Sequence, residues 1–262
     1  MTSAIAMAPR FDMGRVAKRT FGSIGRNWVV FLALAVLLTG VPQALFQYFM
    51  LGASLQGASQ PNLNRIWAAL PTGLIMLAAS SVLQAALVHG TVADLNGRKA
   101  SFGDCLATGV RYFLPVIAIA ILETIAVGFG FLLFIVPAII MALTWLVAVP
   151  AEVTERTGVL GAFSRSADLT RNHRWSLLGL CLVYALLSIV VSTIIGGILG
   201  AVFLGAFWAA GPERTVLMQV ALSLIVQPLQ TMVATAGIAS VYYELRSIKE
   251  GVGPEQLAAV FD

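Results

Sequence analysis

Between Phe113 and Pro150 the chain carries a single charged residue, Glu123. Drawn as one straight helix, this block would extend about 57 Å at 1.5 Å per residue, nearly twice a hydrocarbon core of roughly 30 Å. It has to turn back on itself, and Gly128, Gly130 and Pro137 mark the reversal. Two spans are therefore expected here, at about 113–131 and 135–151. Similar apolar runs predict spans at about 27–51, 67–91, 175–200 and 215–243. The charged fraction is 11% and the hydrophobic fraction 59%, against roughly 25% charge in ordinary soluble domains. The runs are continuously apolar, as in Val29 to Leu38, whereas strands of membrane barrels alternate. The expected fold is all-α, a polytopic membrane protein with six transmembrane helices in one membrane domain over 1–262.

The basic residues fix the threading. Fourteen of the sixteen lie in the N-terminal segment, in the stretches around 98–111 and 156–174, and at the C-terminus. Only Arg65 and Arg214 fall on the other side. Short basic loops stay in the cytoplasm, so both termini are expected to face inward. Residues 1–10 show no basic region followed by an apolar run, so no cleavable signal peptide is expected.

Amphipathic, interfacial helices are predicted on that basic side at about 10–26, 101–112, 157–171 and 254–261. Phe11, Val16, Phe21 and Ile24 alternate with Arg15, Lys18, Arg19 and Arg26 in the first, a pattern suited to the headgroup region. With Arg165, Arg171 and Arg174 these cations are the candidate lipid headgroup contacts. Anionic lipid attracts each by about 1 kcal/mol. Ser101 and Asp104 have capping-box spacing. Membrane flanks account for the basic patches without nucleic acid.

Glu123 near the middle of the third span is the sharpest polar feature, because acids at that depth are costly. Gln227 and Gln230 flank Pro228 at comparable depth, and Gln84 lies in the second span. The four define either a proton or cation site or a structural hydrogen-bonded cluster. Pro42 and Pro228 should kink their helices. Gly196, Gly197, Gly200, Ala201 and Gly205 form a small-residue face for packing within the chain or for a homo-oligomer.

His89 and His173 have no metal-ligand spacing with Cys105 or Cys181, and no disulfide, metal or other cofactor is expected. His89, Asp94, Glu152 and His173 are the only material for an intramembrane lipid enzyme, too little to favour one.

Two segments resemble a known family. The first begins at Pro150, places Glu152, Glu155 and Gly158, then Ala162-x-x-Arg165-Ser166-x-x-Leu169-Thr170 and the pair Arg174-Trp175. The second is Tyr242-Tyr243-Glu244-Leu245-Arg246, followed by Lys249-Glu250-Gly251. Together with Asn96-Gly97-Arg98 they resemble the glycerophosphoryl diester phosphodiesterase membrane domain family and its YciC-like bacterial relatives. In some relatives such a domain precedes a phosphodiesterase barrel, which these residues do not include, so the resemblance implies no catalytic residues here. It implies an integral protein of the bacterial inner membrane. The reading is non-enzymatic: membrane organisation, or lipid or envelope homeostasis, with membrane lipids as partners. The alternative is a small transporter or channel subunit built on Glu123.

Overall fold

The computed structural model describes residues 11–47, 63–207 and 213–250, and every regular element among them is helical. Six helical stretches are long and apolar enough to cross a membrane: Met13–Gln47, Pro71–Leu95, Phe102–Leu133, Ile135–Glu155, Arg174–Ile198 and Ser223–Glu250. The chain is a multi-pass, all-α membrane protein. The predicted helix at 254–261, the first residue of the one predicted at 10–26 and the end of the first predicted span lie outside the described residues.

Helix α1 (Met13–Ala35) starts at Asp12, whose Oδ1 accepts the backbone N–H groups of Gly14 and Arg15 at 2.8 and 3.2 Å. This cap satisfies two of the donors that a helix start leaves free. The helix breaks at Asn27 (φ −121°, ψ 23°), where the amphipathic sequence gives way to the apolar one. Next comes a π-turn, Val36–Gly40, with the Val41 N–H reaching back to the Val36 carbonyl. An ordinary turn would drive the Pro42 ring into the carbonyl four residues earlier, and the wider turn relieves that clash. Residues 41–47 continue as helix.

Helix α2 (Leu63–Leu95) leads through a short loop to α3 (Phe102–Leu133). The sequence suggested an interfacial helix at 101–112 separate from the span. Instead one helix runs through Pro115. Its buried positions, Cys105, Gly109, Tyr112, Val116 and Ile119, form one stripe across the proline, so packing compensates for the missing hydrogen bond. Ser101 occupies the N-cap position but its side chain makes no capping bond, so the expected capping box does not form.

Phe134 alone, in extended conformation, reverses the chain into α4 (Ile135–Trp145). A β-carbon on Gly130 would lie 2.9 Å from the Ala138 Cα, so this hairpin closes only over glycine. The fourth span is broken at Leu146 and Val147, and α5 (Ala148–Glu155) completes it. Helix α6 (Val159–Thr170) lies across the break. Helix α7 (Arg174–Phe207) is unbroken past Gly200, and α8 (Glu213–Glu250) passes through Pro228.

Three clusters form the interior. Ala85, Val88, Tyr112, Val116, Ile119, Val149, Val153, Ala162 and Ala239 make one. Val16, Leu143, Leu169, Leu177, Tyr242 and Leu245 make a second. Phe31, Leu34, Leu83, Leu87, Cys105 and Met232 make a third. Outside them, large apolar side chains such as Leu114, Phe129, Leu132 and Leu186 are exposed, as expected where lipid is the solvent. Ion pairs join Arg26 to Asp94, Arg19 to Glu244 and Arg165 to Glu250. The N-terminal segment, both internal basic stretches and the end of α8 therefore share one face.

Candidate functional site

The basic face is organised by the break between α4 and α5. Interrupting a helix leaves backbone donors and acceptors without partners. Helix α6 supplies them: Ser166 Oγ accepts the Val147 N–H at 3.2 Å and donates to the Thr144 carbonyl at 2.8 Å. Thr170 Oγ1 also donates to the Thr144 carbonyl, at 3.2 Å. Ala162 and Leu169, on the same helix, are fully buried in two different clusters. The Ala-x-x-Arg-Ser-x-x-Leu-Thr motif is thus a plug for a broken span.

Its arginine leads into the second motif. Arg165 Nε donates to both oxygens of Glu155, at 3.1 and 2.8 Å, and its other nitrogen pairs with Glu250. Burial alone would lower the Arg165 guanidinium, but the bonds to Glu155 and Glu250 outweigh it and hold it above the ordinary arginine value. Tyr242 donates its hydroxyl to Glu155 at 2.6 Å, and Arg246 bonds Glu250 at 2.7 Å. Lys249 donates to the Asp168 carbonyl. One turn back along α8, the fully buried Glu244 takes Arg19 and, at 3.5 Å, Arg15. Arg26 holds Asp94 with Nε and a terminal nitrogen, and Asn27 adds a bond at 2.7 Å to the same carboxylate.

These pairs sort the seven candidate headgroup contacts. Arg15, Arg19, Arg26 and Arg165 spend their charge inside the chain. Lys18, Arg171 and Arg174 have no carboxylate partner among the described residues. Arg171 and Arg174 line a groove of about 610 Å³ with Ala167, Asp168, Asn172 and Trp175, where α6 meets α7. Asn172 adopts a left-handed conformation (φ 74°) that turns the chain there. Trp175 is 86% exposed at the start of α7, the placement of an interfacial anchor. Sequence reasoning named both arginines but not Asp168 or Asn172, whose role depends on the turn.

The intramembrane polar residues do not form one cluster. Gln230 Nε2 donates to Ser192 Oγ at 2.6 Å, and Tyr184 donates to the Gln230 carbonyl, so this residue ties α8 to α7. Gln227 is exposed. Glu123 and Gln84 are partly buried, and no hydrogen bond or ion pair joins either to any described residue. Among the described residues, nothing outside the helix's own neighbouring backbone comes within 4 Å of a β-carbon built on Gly196 or Gly197. At these two positions the small-residue face packs against no described residue of another helix; Gly200 and Gly205 fall where side-chain surroundings are not described, and Ala201 is exposed.

Asp94 is committed to Arg26 and Asn27. His173 lies against Phe11 with ring centroids 6.0 Å apart. Glu152 is buried, and its Oε2 has no hydrogen-bond partner among the described residues. No hydrogen bond joins them to one another or to His89 as acid and base. Cys105 and Cys181 are free thiols, and no group of three His, Cys, Asp or Glu gathers as metal ligands among the described residues. No family model matches this chain, and no curated protein or solved structure matches it.

Proposed function

We propose that this chain is a non-enzymatic protein of the bacterial inner membrane, with both termini and its basic face in the cytoplasm. There it organises or senses the bilayer, in support of lipid or envelope homeostasis, by holding phosphate-bearing headgroups. The observation that carries this reading is the groove in which Arg171 and Arg174, with no carboxylate partner among the described residues, stand beside the exposed Trp175. Cations without internal partners at an interface, next to an indole that sits at headgroup depth, match the phosphate level of a leaflet. The two segments that resemble the glycerophosphoryl diester phosphodiesterase membrane domain family meet through Arg165, Glu155 and Tyr242, which is the reason for reading them as one unit.

The test is lipid retention by the purified protein in detergent, titrated with phosphatidylglycerol and read by native mass spectrometry. Arg171→Ala with Arg174→Ala should weaken binding roughly 30-fold, at about 1 kcal/mol per cation. Arg26→Ala should leave binding near the wild-type value, since Arg26 is already paired with Asp94. Equal binding in the double variant removes the reading. The transporter alternative rests on one observation, that Glu123 is unbonded within its span. Loss of a proton-linked flux in Glu123→Gln would favour it.

A further inference from the structure

We infer that the groove between α6 and α7 holds a zwitterionic headgroup, the phosphoethanolamine of a phospholipid, with Asp168 taking its ammonium group. The assignment rests on the groove holding a headgroup phosphate through Arg171 and Arg174, and adds what occupies the rest of it. Asp168 lines the same groove as both arginines, yet its carboxylate forms no ion pair with any described cation. The carboxylates nearby behave otherwise: Glu155 has Arg165, and Glu250 has Arg165 and Arg246. Lys249 reaches Asp168 at its backbone carbonyl. The groove thus presents both signs of charge, with none of its three charged side chains in an ion pair among the described residues.

Two of these charges oppose the helix that carries them. Asp168 lies in the last turn of α6, where the negative end of the helix dipole disfavours an anion. Arg174 opens α7, where the positive end disfavours a cation. Neither placement serves the stability of its own helix, and both serve a dipolar ligand. The end of α6 and the Asp168 carboxylate attract an ammonium together. The first-turn N–H groups of α7, which precede any intrahelical carbonyl, attract a phosphate together with Arg171 and Arg174. The turn between the helices sets the two ends side by side: Asn172 takes φ 74°, and the His173 N–H bonds the Thr170 carbonyl at 3.0 Å.

The chemistry selects the ligand. A phosphate ester without a cation meets the arginines but leaves Asp168 as a repulsive neighbour. A cation alone meets Asp168 and is repelled by two guanidinium groups. Phosphoethanolamine carries both charges on one short chain, and its ammonium is a donor with no acceptor, matched to a carboxylate that only accepts. A lipid, rather than the free compound, fits what surrounds the groove. Trp175 stands exposed beside it, and α7 continues as exposed apolar surface through Leu182, Val183 and Leu186, along which acyl chains can lie.

The test is native mass spectrometry of the full chain in detergent, titrated with phosphatidylethanolamine and with phosphatidylglycerol of the same acyl chains. The wild type should hold phosphatidylethanolamine at least as tightly, although that lipid carries no net charge. Asp168→Asn should lower the ratio of phosphatidylethanolamine to phosphatidylglycerol affinity roughly fivefold, the order of one exposed ion pair. Asp168 is exposed, so this variant keeps the fold. Arg171→Ala with Arg174→Ala should weaken both lipids. If it does while Asp168→Asn leaves the ratio unchanged, the ethanolamine assignment is overturned and the headgroup reading stands. If the double variant weakens neither lipid, both fall. Soluble phosphoethanolamine in excess should fail to displace the lipid; displacement would overturn the assignment to a phospholipid.

Discussion

Gly40 stands against Pro228: a β-carbon on Gly40 would lie 2.9 Å from Pro228 Cγ and 3.6 Å from the Leu224 carbonyl. Pro228 has no N–H to offer that carbonyl. The π-turn of the first span therefore closes over the acceptor that the kink of the last span sets free. Two irregular helices meet at their irregularities, and the residue that permits it is the one without a side chain.

Glycines at such close approaches should be far more sensitive than glycines on open helix faces. Gly40→Ala should destabilise the protein by about 1–3 kcal/mol, the range for overpacking a tight contact. Gly109→Ala should cost more, because its β-carbon would fall 2.5 Å from the Val82 backbone oxygen, which cannot rotate away. Gly128, with nothing within 4 Å, is the control: Gly128→Ala should be neutral or stabilising by up to about 1 kcal/mol. Thermal or denaturant unfolding in detergent orders the three. A Gly109→Ala protein as stable as Gly128→Ala would contradict the α2–α3 approach.

The plug in the broken span makes a second prediction. Ser166→Ala leaves the Val147 N–H buried without an acceptor and takes one donor from the Thr144 carbonyl. The expected cost is about 1–3 kcal/mol, the penalty for an unsatisfied buried group. Thr170→Val removes only a donor, and the Thr144 carbonyl retains the serine, so its cost should be the smaller. Hydrogen exchange at Val147 should accelerate in Ser166→Ala and remain near wild type in Thr170→Val. Equal protection in both would show that Ser166 does not cap the break.

Much of the fold was legible in hydropathy alone, and the reasons mark where reading stops. Six apolar runs specify the spans, because the bilayer penalises charge and unpaired backbone regardless of packing. Gly130 and Pro137 were readable as a reversal since the 113–150 block exceeds the core thickness. The break at Val147 was not, because its compensation comes from Ser166, nineteen residues away. Residues 101–112 looked like a separate amphipathic helix because charge periodicity cannot report that Tyr112 and Val116 share one buried stripe across Pro115. The polar cluster around Glu123 failed as a sequence inference for a similar reason: depth along a span says nothing of rotation about it, and Gln230 is turned toward Ser192.

Tyr242 and Glu155, eighty-seven residues apart, should be energetically coupled. Their bond at 2.6 Å links the two family-like motifs. Tyr242→Phe should cost about 1–2 kcal/mol, since the bond is charge-assisted and shielded. In a double-mutant cycle with Glu155→Gln the coupling should reach about 1 kcal/mol. Arg165→Lys should also destabilise, because an ammonium cannot hold Glu155 and Glu250 in the planar geometry of a guanidinium. A cycle that closes with no coupling would mean the two motifs fold independently.

The threading can be read with three introduced cysteines. Leu160 on α6 is 79% exposed and Phe134 at the α3–α4 reversal is 75% exposed, at opposite ends of one span. In a background with Cys105→Ser and Cys181→Ser, a membrane-impermeant maleimide added to intact spheroplasts should label Phe134→Cys and spare Leu160→Cys. Lysis should expose Leu160→Cys as well. The contact of Arg165 with Glu250 makes a linked demand: a cysteine at Lys249 must behave as Leu160→Cys does. Labelling of Lys249→Cys from outside with Leu160→Cys protected would require the chain to cross the bilayer an odd number of times between them, which α7 and α8 as two full spans do not allow.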